Sequence, residues 1–331
     1  MHMADALLSP AVGAAGWACT AGVLAYSSRR IKDSLDEKKV PLMGVLGAFV
    51  FAAQMINFTI PATGSSGHIA GSLLLAILLG PYAAFITIAS VITVQALFFA
   101  DGGILALGWN IINMGFFSCF IVYPLVYKKI AGENPARGRI ITGAVLGSVI
   151  GLQLGAFAVV LETLFSGISE LPFGTFVVLM QPIHLAIGFV EGLITAAVVV
   201  FVWNARPEIL SAAAHARAIG GVNIKRVLAG LLVAACLTAG ILSWFASSNP
   251  DGLEWSMFKT AGQEEIAAPA DGVHDALGAV QEKTSFLPDY AFKGTEGSNV
   301  GTSVSGVVGG AITLLIAFGT GAVLRRKKVN A

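Results

Sequence analysis

The sequence predicts an all-α integral membrane protein with about nine transmembrane helices, on three grounds. Of its 331 residues, 56% are apolar and only 12% charged, with a mean hydropathy of +0.79; an ordinary soluble chain is roughly a quarter charged. Apolar runs close to the 20 or so residues that cross a hydrocarbon core recur between charge clusters. The basic residues fall in alternate segments between those runs. A formal charge of +1 leaves no electrostatic footprint for nucleic acid. The composition also excludes disorder, collagen and a disulfide scaffold.

The runs lie near residues 9–27, 41–58, 67–80, 82–100, 104–127, 140–161, 175–203, 227–246 and 304–324. The first is not a secretory signal: Met1 to Pro10 holds Asp5 and no Lys or Arg, and the basic pair Arg29-Arg30 follows the run instead of preceding it. The N-terminus is therefore expected to be retained and translocated, with a free α-amino group. The second run starts after Lys38-Lys39. The third is the weakest, because Gly80-Pro81 ends it early, which predicts a short, tilted or partly buried helix. A short turn at 101–103 separates the fourth run from the fifth. The sixth carries Gly143, Gly147, Gly151 and Gly155, a spacing that lets helices pack closely. The seventh holds His184 and Glu191, the eighth follows a basic linker, and the ninth ends at Arg325.

Orientation follows from the rule that Lys and Arg stay on the cytoplasmic side. With the N-terminus outside, the inner segments hold Arg29 to Lys39, Lys128 to Arg139, Arg206 to Arg226 and Arg325 to Lys328, which takes in seventeen of the twenty basic residues. The other three, Lys259, Lys283 and Lys293, share one long, acid-rich outer loop. An odd number of crossings, with the C-terminus inside, fits this pattern.

Two modules are expected: a membrane domain at 1–203 and a two-helix module at 227–331 with a polar outer loop, joined by a basic, Ala-rich cytoplasmic linker at 204–226. A loop of that length usually has a function of its own. No internal repeat is evident, so an inverted-repeat transporter is not supported.

Chemistry concentrates on few residues. Cys19, Cys119 and Cys236 are scattered in apolar runs without metal spacing and read as buried, inert thiols. His215 and His274 read as solvated residues. His184 and Glu191, seven positions apart on one helix face, read as a packed structural pair, with gating or partner contact as the alternative. No phosphate-binding loop occurs in the sequence, so any ATP hydrolysis belongs to partner subunits. His2 is different. After a free Met1 it offers the α-amine, its own deprotonated amide and imidazole Nδ1 in adjoining chelate rings, a planar set suited to Ni(II) or Cu(II). His68, at the outer end of a run, lies on the same side and could supply a fourth nitrogen. The plain alternative is that His2 is an incidental second residue and His68 an interfacial cap.

Met1-His2-Met3-Ala4-Asp5-Ala6-Leu7-Leu8-Ser9-Pro10, the turn Gly64-Ser65-Ser66-Gly67-His68 and the stretch His184 to Gly192 resemble the NikM/CbiM substrate-specific components of energy-coupling factor (ECF) transporters, over about residues 1–203. Pro250-Asp251-Gly252-Leu253-Glu254 resembles the signature of the small NikN/CbiN component, over about 227–331. The resemblance implies a seven-helix bundle plus a two-helix module, and metal held by Met1, His2 and His68. It also implies a membrane component of an ATP-driven importer of Ni2+, or of Co2+ for cobalamin synthesis. A separate transmembrane (T) component and ATPase subunits would be its partners. Family members often have Asp-Gly where this chain has Asp5-Ala6, which bears on the local turn and the metal preference. The expected location is the inner membrane of a prokaryotic cell; the ion is cargo, and no cofactor is expected. A stand-alone channel or secondary transporter is the more distant alternative. The NikN-like part is expected to act in loading or occlusion, with its outer loop near the metal entrance.

Overall fold

The computed structural model describes residues 2–264, 266–269, 272–294 and 298–325. Its helices are α1 (Pro10–Arg30), α2 (Lys39–Gln54), α3 (Ser72–Leu79), α4 (Pro81–Phe99), α5 (Leu107–Ala131), α6 (Arg137–Ser166) and α7 (Phe173–Ala205), followed by α8 (Pro207–Ala214), α9 (Lys225–Gly240), α10 (Gly252–Ala261), α11 (Gly272–Thr284) and α12 (Asn299–Leu324). Between α2 and α3 lies an antiparallel hairpin of β1 (Phe58–Ile60) and β2 (Ser65–Gly67), with Thr59 opposite Ser66. Pro10, Pro81 and Pro207 open their helices, where the missing N–H costs no hydrogen bond.

Every apolar run coincides with a helix, but among the described residues five, α4, α5, α6, α7 and α12, are long and apolar enough to cross a bilayer by length and composition. The third run differs most from expectation. Its helix, α3, has 8 buried residues, a rise of about 12 Å. Residues 65–67 pair as a strand and 68–71 are not helical, so the chain reaches α3 already inside the bundle. Non-helical backbone at that depth is tolerated only where protein groups satisfy it, and here they do. Glu191 accepts hydrogen bonds from the amides of Ala70 (2.8 Å) and Gly71 (3.1 Å), and Gln54 Nε2 donates to the Ala70 carbonyl at 2.8 Å. Gly71 sits at φ +75°, a turn that a side chain would strain.

The helices α6 and α7 pack along their length because glycine lets their backbones meet. A Cβ on Gly188 would lie 2.8 Å from Val149 Cα, and one on Gly192 would lie 2.5 Å from Val145 Cα. The stripe from Gly143 to Gly151 turns instead toward α5, against Tyr127, Val122 and Ser118. Leu146, Ile150, Phe157, Leu185 and Phe189 face outward on the pair, an apolar surface that a bilayer covers. Cys19 and Cys236 are likewise exposed on their helices, and only Cys119 is buried as expected. In α5 the stretch Ile112–Tyr127 is wound as a π-helix around Pro124.

The bundle has two chemically distinct ends. At one, Lys39 Nζ donates to the Arg217 carbonyl at 2.8 Å and Lys128 Nζ to the Ala214 carbonyl at 2.8 Å, while Arg325 pairs with Glu37 at 3.7 Å. The basic segments thus gather together. The other end carries the N-terminal segment, the hairpin, the 101–103 turn, α10 and α11.

Candidate metal centre

Residues 2–9 run into the bundle instead of along its surface. Met3, Leu7 and Leu8 are buried, and their backbone is matched group by group. Asn110 on α5 accepts from the Met3 amide (2.8 Å) and donates Nδ2 to the Met3 carbonyl (3.1 Å), which also accepts from the Gly103 amide at 2.9 Å. The Ala106 amide donates to Asp5 Oδ1 at 3.0 Å, in a turn tight enough that a Cβ on Gly103 would strike Asp5. Ser9 closes the segment by donating its amide to Ser166 Oγ.

This clamp carries His2 to His68. Their rings stack with centroids 5.0 Å apart and planes 15° from parallel. His2 Nδ1 lies 3.0 Å from Asp101 Oδ1, and His68 Nε2 lies 3.8 Å from Asp251 Oδ2. His68 Nδ1 faces its neighbour's carbonyl, Ile69 O, at 3.0 Å. A carbonyl oxygen only accepts, so Nδ1 of His68 carries a proton. Met1, the third expected ligand, lies outside the described residues. Among the described residues, no three His, Cys, Asp or Glu side chains converge as a metal-holding group. A site here would thus combine two imidazoles with main-chain nitrogen. The Nδ1 that a chelate would use is held by Asp101 in this state.

A cavity of about 370 Å³ opens beside the rings, lined by His2, His68, Asp101, Asp251, Glu254 and Tyr290 among others. Burial alone would raise the Asp101 carboxyl, but the His2 ring and the Tyr290 hydroxyl, which donates to Asp101 Oδ2, hold it well below the usual carboxylate range. Burial, with the Asp101 carboxylate adding to it, pushes the Tyr290 hydroxyl upward. Burial, helped by the adjacent Asp251 carboxylate, pushes the Glu254 carboxyl up to about 7.

The C-terminal segment packs over the hairpin. Ser66 donates its amide to the Pro250 carbonyl (2.8 Å) and its hydroxyl to the Asn249 carbonyl (2.7 Å), and Trp255 Nε1 donates to the Thr63 carbonyl at 3.0 Å. Asp251 caps α10 by accepting from the Leu253 and Glu254 amides, and Glu254 accepts from the Asp251 amide in return. Gln281 on α11 donates to the carbonyls of Ala96 and Gly102 at 2.9 and 2.8 Å. His274 corrects an expectation: it is 5% exposed rather than solvated, and its Nε2 lies within 3.1 Å of two carbonyls of the N-terminal segment.

His184 and Glu191 share a face of α7 but act separately: Glu191 holds the chain after His68, and His184 bonds the Met180 carbonyl. The sequence singled out His2 and His68, which the fold brings together, but not Asp101, Asn110, Tyr290 or the placement of Asp251. Two of these carried a signal: Asp101 is the one acid in a three-residue turn, and Asn110 is polar within an apolar run.

Residues 2–209 match the family described as the cobalt uptake substrate-specific transmembrane region, and residues 225–326 match the PDGLE domain. An Archaeoglobus fulgidus chain, provisionally named a fused nickel transport protein NikMN, is 34% identical over 96% of this chain and 97% of its own length. The fused nickel transport protein NikMN of Rhodobacter capsulatus is 30% identical over 96% and 95%. The cobalt transport protein CbiM of Geobacter sulfurreducens is 29% identical over 81% and 78%. A crystal structure of a truncated transition metal transporter is 32% identical and superposes with a TM-score of 0.55, over 62% of this chain and 99% of that one. The chain therefore belongs to the substrate-specific transmembrane family of cobalt and nickel transport proteins, with a NikN-like PDGLE component in the same polypeptide, and is a multi-pass membrane transport protein rather than an enzyme.

Proposed function

We propose that the chain is the substrate-binding membrane component of an ATP-driven ECF-type transporter that imports Ni2+, working with a separate transmembrane component and ATPase subunits. Residues 1–203 form the metal-binding domain, 204–226 the cytoplasmic linker and 227–331 the accessory module. The ion is held by the Met1 amine, the His2 amide and imidazole, and His68. The observation that carries this reading is the stacking of His2 on His68 at the end of the bundle opposite the basic segments. By the positive-inside rule that end faces outward in a prokaryotic inner membrane, with the N-terminus outside and the C-terminus in the cytoplasm.

The ion enters from outside through the cavity beside the rings and displaces Asp101 from His2 Nδ1. It is enclosed beneath the PDGLE segment and released inward when the partners reorient the bundle. A planar nitrogen set suits Ni(II), and the relatives matched along almost the whole chain carry nickel in their names. Cobalt import by the same mechanism is the second reading, supported by the CbiM relatives.

Metal content and absorption spectrum of the purified chain test the site: a tightly held, planar nickel species is expected. Adding one residue before Met1 moves the amine out of chelate register and should abolish tight binding, and unchanged affinity refutes the ligand set. Sustained uptake by proteoliposomes holding this chain alone would overturn the ATP-driven reading.

A further inference from the structure

Beside His68, at a shared void, a second histidine presents one ring nitrogen without a partner among the described residues. His184 on α7 is 1% exposed, and its Nδ1 lies 2.8 Å from the Met180 carbonyl oxygen. That oxygen only accepts, so Nδ1 carries the proton and Nε2 presents a bare lone pair. The buried Nε2 has no hydrogen-bond partner among the described residues. It lies at a void of about 10 Å³, whose lining includes His68, Asp251, Gly67, Gly252 and Met114, close to the smallest space that takes one water-sized particle. Imidazole, carboxylate and thioether together are donors for a borderline transition-metal dication. Gly252 keeps the space open: a Cβ there would stand 3.3 Å from His184 Nε2 and 3.0 Å from its Cε1.

We infer that His184 is a second nitrogen donor for the cargo ion, a weaker station beside the His2–His68 pair that shares a void with His68. The inference rests on the outer site proposed above. His184 stands eleven residues into α7, roughly 17 Å from its start by helical rise, one turn before Ile187, against which Gly67 packs. The donors suit a loosely held ion better than a stored one, because no three such side chains converge as a cage among the described residues.

Equilibrium dialysis of the full-length chain in detergent against Ni2+ alone tests this. The wild type should take one tight ion and, once that is filled, a second on the order of 100-fold weaker, because fewer donors hold it. His184→Gln should lose the weak ion and keep the tight one, whereas His2→Ala should lose the tight one and keep the weak one. Gly252→Ala, which covers Nε2 and leaves the ring in place, should copy His184→Gln and guards against misfolding of the ring variant. X-ray absorption of singly loaded His2→Ala should show imidazole scattering around the nickel, and the double variant His2→Ala/His184→Gln should take up no ion. A weak ion absent from the wild type, or one that survives in His184→Gln, overturns the station. A tight ion that survives His2→Ala overturns the outer site and leaves the His184 result to be read on its own.

Discussion

His274 Nε2 lies 3.0 Å from the Leu8 carbonyl oxygen, so a ring from the outer loop of the C-terminal module grips the segment that carries His2. The Asp5 carbonyl shares the same nitrogen at 3.1 Å, which fixes the ring proton there. Viewed from the sequence, His274→Ala is expected to matter little; the grip reverses that expectation. Removing the donor leaves two carbonyls with one partner fewer, a cost of about 1–3 kcal/mol. Hydrogen exchange across residues 3–9 should speed up and nickel affinity should fall in the variant. Exchange indistinguishable from wild type would show that the grip holds nothing.

Asp101 places a carboxylate 3.0 Å from the His2 ring, both orienting the imidazole and adding negative charge beside an arriving dication. Asp101→Asn keeps the shape and removes the charge. Nickel affinity should drop severalfold, because the carboxylate charge close to the ion is lost while the side chain leaves Nδ1 in either case. Equal or tighter binding in a titration would mean that Asp101 only competes with the metal for Nδ1.

Glu191 accepts the Ala70 and Gly71 amides. Glu191→Ala orphans two buried donors at about 1–3 kcal/mol each, and Glu191→Gln, which keeps one acceptor oxygen, should lose about half as much. Melting temperatures in detergent should order as wild type, Gln, Ala, with nickel affinity falling in step because His68 is displaced. Equal melting temperatures for Ala and wild type would remove Glu191 from this role.

Glu254 gives a pH signature. Its carboxyl is raised to about 7 in the fold, from 4.5, so between those values the folded chain binds more protons than the unfolded one. Stability contributed here therefore falls as pH rises through that window. Glu254→Gln stays neutral and can still accept from the Asp251 amide. It should raise the melting temperature at pH 8, by roughly 1–3 kcal/mol of stability, and leave it nearly unchanged at pH 4.5. Thermal scans at the two pH values decide; an equal shift at both would assign the gain to something other than this charge.

The helices were legible because lipid imposes a uniform demand for apolar length, and the two ends because Lys and Arg sort by side. His2 and His68 could be paired because chelate geometry is set within two residues and topology supplied the third. What the sequence hid lies where protein replaces lipid or water as the solvent. Residues 68–71 look like the start of a span, yet they are not helical, since Glu191 and Gln54 supply the backbone partners that a helix would otherwise provide. Asn110 reads as a lone polar residue in an apolar run until Met3 is seen to fill both ends of its amide. The outer loop reads as solvated because only one face of α11 packs, and His274 happens to be on it.

The PDGLE segment and the hairpin it packs on belong to one chain. Docking of Pro250 on Ser66 and of Trp255 on Thr63 is an intramolecular event, with an effective concentration of about millimolar for a short connection. The contact therefore forms one to one, however thinly the protein is spread through the membrane. It depends on the geometry of the join at 204–226 rather than on how much of a second gene product the cell makes.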